Sequence, residues 1–327
     1  MTRMLAWIVA GIAFILPLRE SARSQESAGT DTVRTAFQGA GTLAAHTFVP
    51  TTFIRDPFVK TSLRSGLGFG MTPALESSPV VIDGESVDGR NGNLLFALMA
   101  FEYQHAIREW LAVRAGLKVM GRLANETRPL LAQGVTLYGE FQLGWLFRVL
   151  QSERTIVSAS LEIRNSSLTD VYLQRFIEGI IDSGGISRGN HLVEVTPALL
   201  GGGGLRMAYA FSDLVGLTAN ANLFYGESGD RAKGDTWTYM VMAALDFNLF
   251  SHGGPPLGFV VGASTGTPVD VPGTGDATTQ AIFGRIGYTG SREFALGLDL
   301  AYDLVPVRNA ESKQGFVSAI IDILLYL

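Results

Sequence analysis

The sequence predicts an all-β chain that closes into a transmembrane antiparallel up-and-down β-barrel of about 12 strands. Three observations carry that prediction. Twelve extended segments alternate between apolar and polar residues, their charged residues all keep to one side, and short links alternate strictly with long ones. Alternate residues of a strand face opposite sides, so each of these patterns has a direct structural meaning.

The segments run over residues 62–72, 93–105, 110–122, 134–149, 154–165, 191–211, 214–226, 236–250, 257–265, 278–289, 293–305 and 315–327. A tilted spanning strand needs about 9 to 11 residues, a length that the segments supply. In the fourth, Val135, Leu137, Phe141, Leu143, Trp145, Phe147 and Val149 share one face, against Thr136, Glu140, Gln142 and Arg148 on the other. In the eleventh, Phe294, Leu296, Leu298, Leu300, Tyr302 and Leu304 oppose Gly297, Asp299 and Asp303. All 17 charged residues in the segment cores lie opposite the large apolar side chains.

The links decide which face meets water. Those at 106–109, 150–153, 212–213, 251–256 and 290–292 are short; those at 73–92, 123–133, 166–190, 227–235, 266–277 and 306–314 are long. All tight turns therefore gather at one rim and all long loops at the other, which is an up-and-down meander and not a Greek key. The aromatics sort to the same two heights. Tyr103, Trp110, Trp145, Phe147, Tyr209, Phe211, Phe247, Tyr288 and Phe294 fall near the tight-turn rim, and Phe69, Tyr225, Trp237, Tyr239 and Tyr302 near the long-loop rim. Two aromatic girdles suit an apolar face turned toward lipid.

Composition excludes several classes. With 47% hydrophobic and 17% charged residues the chain is not disordered, and with no cysteine it holds neither a disulfide nor a thiolate metal site. A net charge of -5 provides no basic face for nucleic acid. Arg3, the apolar run Met4 to Leu18 and Ala22-Arg23-Ser24 form a secretory signal pattern, so residues 1–24 are expected to be removed. Residues 25–60, polar and carrying Pro50 and Pro57, are expected to form a periplasmic N-terminal tail or a small plug, and residues 61–327 the barrel.

On these residues the chain resembles a bacterial outer-membrane β-barrel protein of the porin or transporter kind. The terminal segment Phe316 to Leu327 alternates Val317, Ala319, Ile321, Ile323, Leu325 and Leu327 up to the last residue, similar to the C-terminal assembly signal of that class. Members usually end in an aromatic residue, whereas this chain ends in Leu327. The resemblance implies the outer membrane of a Gram-negative bacterium. Its implied partners are membrane lipid and lipopolysaccharide, the barrel assembly machinery and a small-molecule solute.

If the apolar face meets lipid, the charged face lines the lumen. The first six segments then contribute a basic arc of Arg64, Arg114, Lys118, Arg122, Arg148, Arg154, Arg164 and Arg206. The last six contribute an acidic arc of Asp246, Asp299, Asp303 and Asp322; Glu102, Glu140, Glu162, Glu194 and Arg285 complete the set. Two outcomes follow: a channel for small polar or zwitterionic solutes, or a cross-lumen ion-pair network that fills a narrow barrel. Small and apolar inward residues, among them Gly66, Gly68, Gly70, Gly202, Gly204, Met240, Met242, Gly258 and Gly262, also fit FadL-like passage of hydrophobic or aromatic compounds. The Asn-Pro-Ala plug signature of the fatty-acid type is absent. Residues 167–182 have helical spacing, with Ser167 and Asp170 placed as a capping pair.

Catalytic patterns are missing. His46, His105, His191 and His252 are followed two residues later by Phe48, Ile107, Val193 and Gly254, so the His-x-Ser pair of barrel hydrolases does not occur. Asp270 to Asp276 reads as a plain turn more readily than as a calcium loop. No cofactor and no metal are expected. The rival readings are a non-conducting barrel that binds partners through its loops and a secreted soluble β protein.

Overall fold

The computed structural model describes residues 41–75, 80–82, 85–87, 92–124, 135–171, 193–227, 234–250, 253–267, 278–291, 293–306 and 313–327. The expected signal segment, the N-terminal residues before Gly41, most of the helical stretch 167–182 and the candidate calcium loop lie outside these residues. The strands are β1 (Thr42–Leu43), β2 (His46–Thr47), β3 (Ser62–Leu75), β4 (Val80–Ile82), β5 (Glu85–Val87), β6 (Gly92–Arg108), β7 (Leu111–Ala124) and β8 (Val135–Gln151). They continue as β9 (Thr155–Val171), β10 (Val193–Ala210), β11 (Val215–Glu227), β12 (Asp235–Asn248), β13 (Leu257–Gly266), β14 (Thr279–Tyr288), β15 (Phe294–Pro306) and β16 (Lys313–Tyr326).

Twelve of these form a closed antiparallel barrel in which β3 and β6 to β16 pair in sequence order and β16 returns to β3. Closure removes every sheet edge, the only way a sheet satisfies its backbone groups inside lipid. The seam is in register, with Asp322 opposite Gly66 and Ile320 opposite Gly68. Both strands of the seam meet at the tight-turn rim, where the Leu327 amide donates to the Thr61 carbonyl at 3.0 Å. β4 and β5 form a separate hairpin within the first long loop.

The shortest barrel strands, β13 and β14, have 10 residues each. At about 3.3 Å per residue and a tilt near 40°, such a strand spans about 25 Å, the height of the apolar band of an outer-membrane barrel. The exterior is correspondingly apolar: Val261 is 62% exposed, Ile321 61% and Trp237 61%. The inward residues are the reverse, with Asp299 at 0%, Asp246 at 1% and Glu162 at 2%. Such a distribution is inverted relative to a soluble core and stable only in an apolar solvent. Ring contacts mark the girdles: Trp110 with Phe147, Tyr209 with Phe211 and Tyr288 with Phe294 at the tight-turn rim, and Tyr225 with Trp237 near the other.

Two sequence expectations need correction. Ser167 to Val171 do not open a helix but extend β9, pairing with Gly139 to Val135 on one side and Pro197 to Val193 on the other. Ladder bonds to two neighbours outweigh a single cap, so the local helical spacing is overridden. Arg154 is not in the wall. It lies exposed in the turn between β8 and β9, where its carbonyl accepts the Ala210 amide at 2.8 Å.

Placing a charge on the exterior provides a test. Val261→Arg, at the middle of β13, is expected to destabilise the folded barrel by about 2 to 4 kcal/mol, measured by denaturant titration in lipid vesicles. A shift within error of zero would contradict a lipid-facing position.

Candidate functional site: a barrel interior occupied by the N-terminal segment

The site is built where the inward carboxylates of the wall meet residues 41–60. That segment enters from the strand end at Ser62 and ends in the β1–β2 hairpin, whose turn residues Ala44 and Ala45 both adopt positive φ, 44° and 69°. Two left-handed residues in a two-residue hairpin loop make a type I′ turn, the hand that matches strand twist.

Three buried carboxylates hold the segment. Asp246 on β12 lies 2.9 Å from His46 Nε2 through Oδ1, and its Oδ2 accepts the Val49 amide at 2.7 Å. The other ring nitrogen of His46 hydrogen-bonds the Asp213 carbonyl at 3.0 Å. Asp299 on β15 accepts the Thr51 hydroxyl at 2.7 Å and, through its second oxygen, the Thr52 amide at 3.2 Å and hydroxyl at 3.0 Å. Glu162 on β9 accepts Arg55 at 3.1 and 2.9 Å through its two oxygens. Arg55 also donates to the Gln142 side-chain oxygen on β8.

Wall donors complete the attachment by binding carbonyls of the segment. Gln104 reaches the carbonyls of Phe58 and Lys60, Ser158 that of Pro57, Asn248 that of Thr47 and Arg64 that of Thr51. Beyond its small β1–β2 hairpin, the segment thus has backbone groups satisfied by the barrel wall, as buried peptide groups require.

Apolar contacts set the fit. Phe48, Leu43 and Phe58 pack with Ile156, Ala208 and Ala210, and Val49 and Ile54 pack with Ala244, Val260, Phe283 and Ala301. Glycines provide the room. A Cβ on Gly216 would meet Phe48 and His46, and one on Gly258 or Gly287 would meet the two methyls of Val49. The inward glycines opposite this segment are therefore seats for its side chains.

The charged wall residues of the sequence analysis divide into two groups. The first centres on Glu162, which accepts Arg114 at 2.5 Å, Arg206 at 2.5 Å and Arg164 at 3.1 Å besides Arg55. Glu102 lies 3.7 Å from Arg55 and 3.9 Å from Arg114. The second joins Arg285 to Asp299 at 2.6 Å and to Asp322, with Arg64 3.2 Å from Asp322. Lys118 sits directly across from Glu140, whose carboxylate accepts the Tyr138 hydroxyl at 2.5 Å. Asp303 is partly buried. Arg148 lies near the tight-turn rim, 3.8 Å from Glu109 of the β6–β7 turn. Beside Arg148 the β8–β9 ladder shifts register, with a bulge before Leu150. The side chains of Arg122 and Glu194 lie outside the described residues.

The basic and acidic arcs are thus not two bare walls facing each other across water. Each is interleaved with opposite charge, and residues 41–60 bridge them. Sequence reasoning missed His46, Thr51, Thr52 and Arg55 because no periodicity marks them. The signal within reach was the set of inward acids lacking a same-height basic partner on an adjacent strand, Asp246 above all.

No family model matches the chain, and no curated protein matches it in sequence. Among solved structures, an outer-membrane channel from Pseudomonas putida F1 aligns with a TM-score of 0.51 at 10% identity over 85% of this chain and 99% of that one. The toluene transporter TodX of P. putida aligns at 0.45 with 10% identity over 89% and 99%, and the NanC porin at 0.45 with 6% identity over 82% and 100%.

Gly258→Leu tests the seating. Filling the space of the Val49 methyls is expected to cost about 1 to 3 kcal/mol and to loosen residues 41–60. Trypsin is then expected to cut after Arg55 or Lys60 in the variant but not in the parent, with the barrel intact. Equal protection of both would remove the glycine-seat account. The fold that the alignment at a TM-score of 0.51, the closed barrel and the inverted surface establish is that of a transmembrane β-barrel.

Proposed function

We propose that the protein is a passive channel for small solutes in the outer membrane of a Gram-negative bacterium, held closed by residues 41–60. The observation that carries the reading is the polar, hydrogen-bonding interior of a closed barrel whose exterior is apolar. A barrel that served only as a membrane scaffold would be stable with a tightly interdigitated apolar or small-residue interior, as the narrowest barrels are. Here the tight-turn half is filled by a separate segment, attached to the wall through side-chain hydrogen bonds and ion pairs and not through the strand ladder.

No enzymatic role is part of the reading. Among the described residues His46 is engaged by Asp246 and the Asp213 carbonyl, and no serine hydroxyl hydrogen-bonds it. Loss of the segment would leave Asp246 without its two donors, and water entering the lumen would solvate it. Opening therefore converts a dry, paired interior into a wet one, which is the condition for solute passage.

Planar-bilayer recording tests the reading. The full chain is expected to give rare or small conductance steps, and a chain lacking residues 25–60 frequent and larger ones. Silence from both preparations, with the barrel shown to be inserted, would leave the non-conducting surface-binding barrel as the better account.

A further inference from the structure

The cluster around Glu162 carries more positive charge than it can use. Four guanidinium groups, Arg55, Arg114, Arg164 and Arg206, meet two carboxylates, Glu162 and Glu102, an excess of two cations. Glu140 lies within interaction range of Arg164 and Arg55 as well as Lys118, and Lys118 also interacts with Asp303; with these three included, five cations meet four carboxylates, an excess of one. An uncompensated buried charge is costly, and the cheapest remedy is an anion.

The donors for that anion are already in place. Arg206 is 1% exposed, and its Nε has no hydrogen-bond partner. Among the described residues Arg164 hydrogen-bonds Glu162 alone, although a guanidinium carries five N–H donors, and its Nε is also unpartnered. Its guanidinium lies 4.0 Å over the ring of Phe224. Gly202 makes that stack possible: a Cβ there would collide with Phe224, so the bare backbone of β10 lets the ring reach across to β9.

The wall toward the long loops is of different chemistry. On the inward face Phe96 lies over Gly70, with Phe316 6.4 Å away, and Leu98, Phe224 and Met240 share that face. A solute arriving from the long-loop side thus meets these apolar and aromatic side chains, interspersed with Lys118, Glu140 and Asp303, before the arginine cluster beyond them.

We propose that this region is a binding site for a small organic carboxylate with an aromatic or apolar body. The carboxylate pairs with Arg164 and Arg206, and the body lies along Phe224 and the apolar wall. The proposal rests on the channel reading for its route of access and deepens it by naming the solute class. The Arg164 side chain keeps 17% of its surface exposed with residues 41–60 in place, so binding is measured on the full chain.

Calorimetric titration of the detergent-purified full chain at low salt, with benzoate as probe, tests it. Saturable binding is expected for benzoate and none for benzyl alcohol, which has a similar ring without the charge. Arg164→Met is expected to weaken benzoate about tenfold or more, the magnitude of a lost charge-assisted pair, and Arg154→Met in the exposed turn between β8 and β9 to leave it unchanged. Arg164→Lys keeps the charge next to Glu162 and guards against a folding artefact. It is expected to weaken benzoate less than the Met variant, since a lysine lacks the planar fork. Equal binding of benzyl alcohol, full displacement of benzoate by matched chloride, or unaltered benzoate affinity in both Arg164 variants would each overturn the proposal. Binding without conductance would count against the channel alone, and conductance without benzoate binding against this site alone.

Discussion

The interior is organised by the need of buried carboxylates for donors. Asp246, Asp299 and Glu162 are removed from water, and among the described residues Asp246 takes its hydrogen bonds from His46 and Val49, both in the N-terminal segment. An unpaired carboxylate in such a place costs several kcal/mol. The barrel with these carboxylates buried therefore requires the segment, and the segment, which has only the short β1–β2 hairpin of its own, requires the barrel.

Glycine has an equally direct part. In a wall whose inward positions all carried side chains, a crossing segment would have to stand off by the thickness of a side-chain layer. At Gly216, Gly258 and Gly287 the wall is bare, so His46, Phe48 and Val49 lie against backbone. Gly202 does the same for Phe224 higher up. The close-packed interior follows from shape matching between these dents and four or five side chains. Each anchor is a polar pair or a small apolar patch, contacts that the proposed opening would exchange for water.

This arrangement reconciles two readings that the charges alone leave open. Under the proposed reading a cross-lumen network and a channel are not alternatives, because the network is carried in part by the segment that would move. The ion pairs of Glu162 and Asp299 belong partly to the wall and partly to the segment. Movement of Arg55, Thr51 and Thr52 would leave behind wall clusters, Arg114–Glu162–Arg206 and Arg64–Asp322–Arg285–Asp299, that remain largely paired. The wall thus tolerates an empty lumen, at a cost concentrated on Asp246.

The strand positions, the inside-out surface and the two rims were all legible in the sequence, because each depends on period-two parity and link length, which are local. Residues such as Val261, Ile321 and Trp237 declare their side by their neighbours two positions away. Ser167 to Val171 misled because their spacing is helical, while the ladder partners that make them strand lie some thirty residues off on either side. The attachment of His46, Thr51 and Arg55 was not legible at all. It joins residues 107 to 248 positions apart, and no periodic signal spans such separations. Local alternation fixed which side of every strand faces lipid; only closure of the barrel decided which inward carboxylate met which donor, because those pairings are set by the shear of the sheet and by chain segments that approach across the lumen.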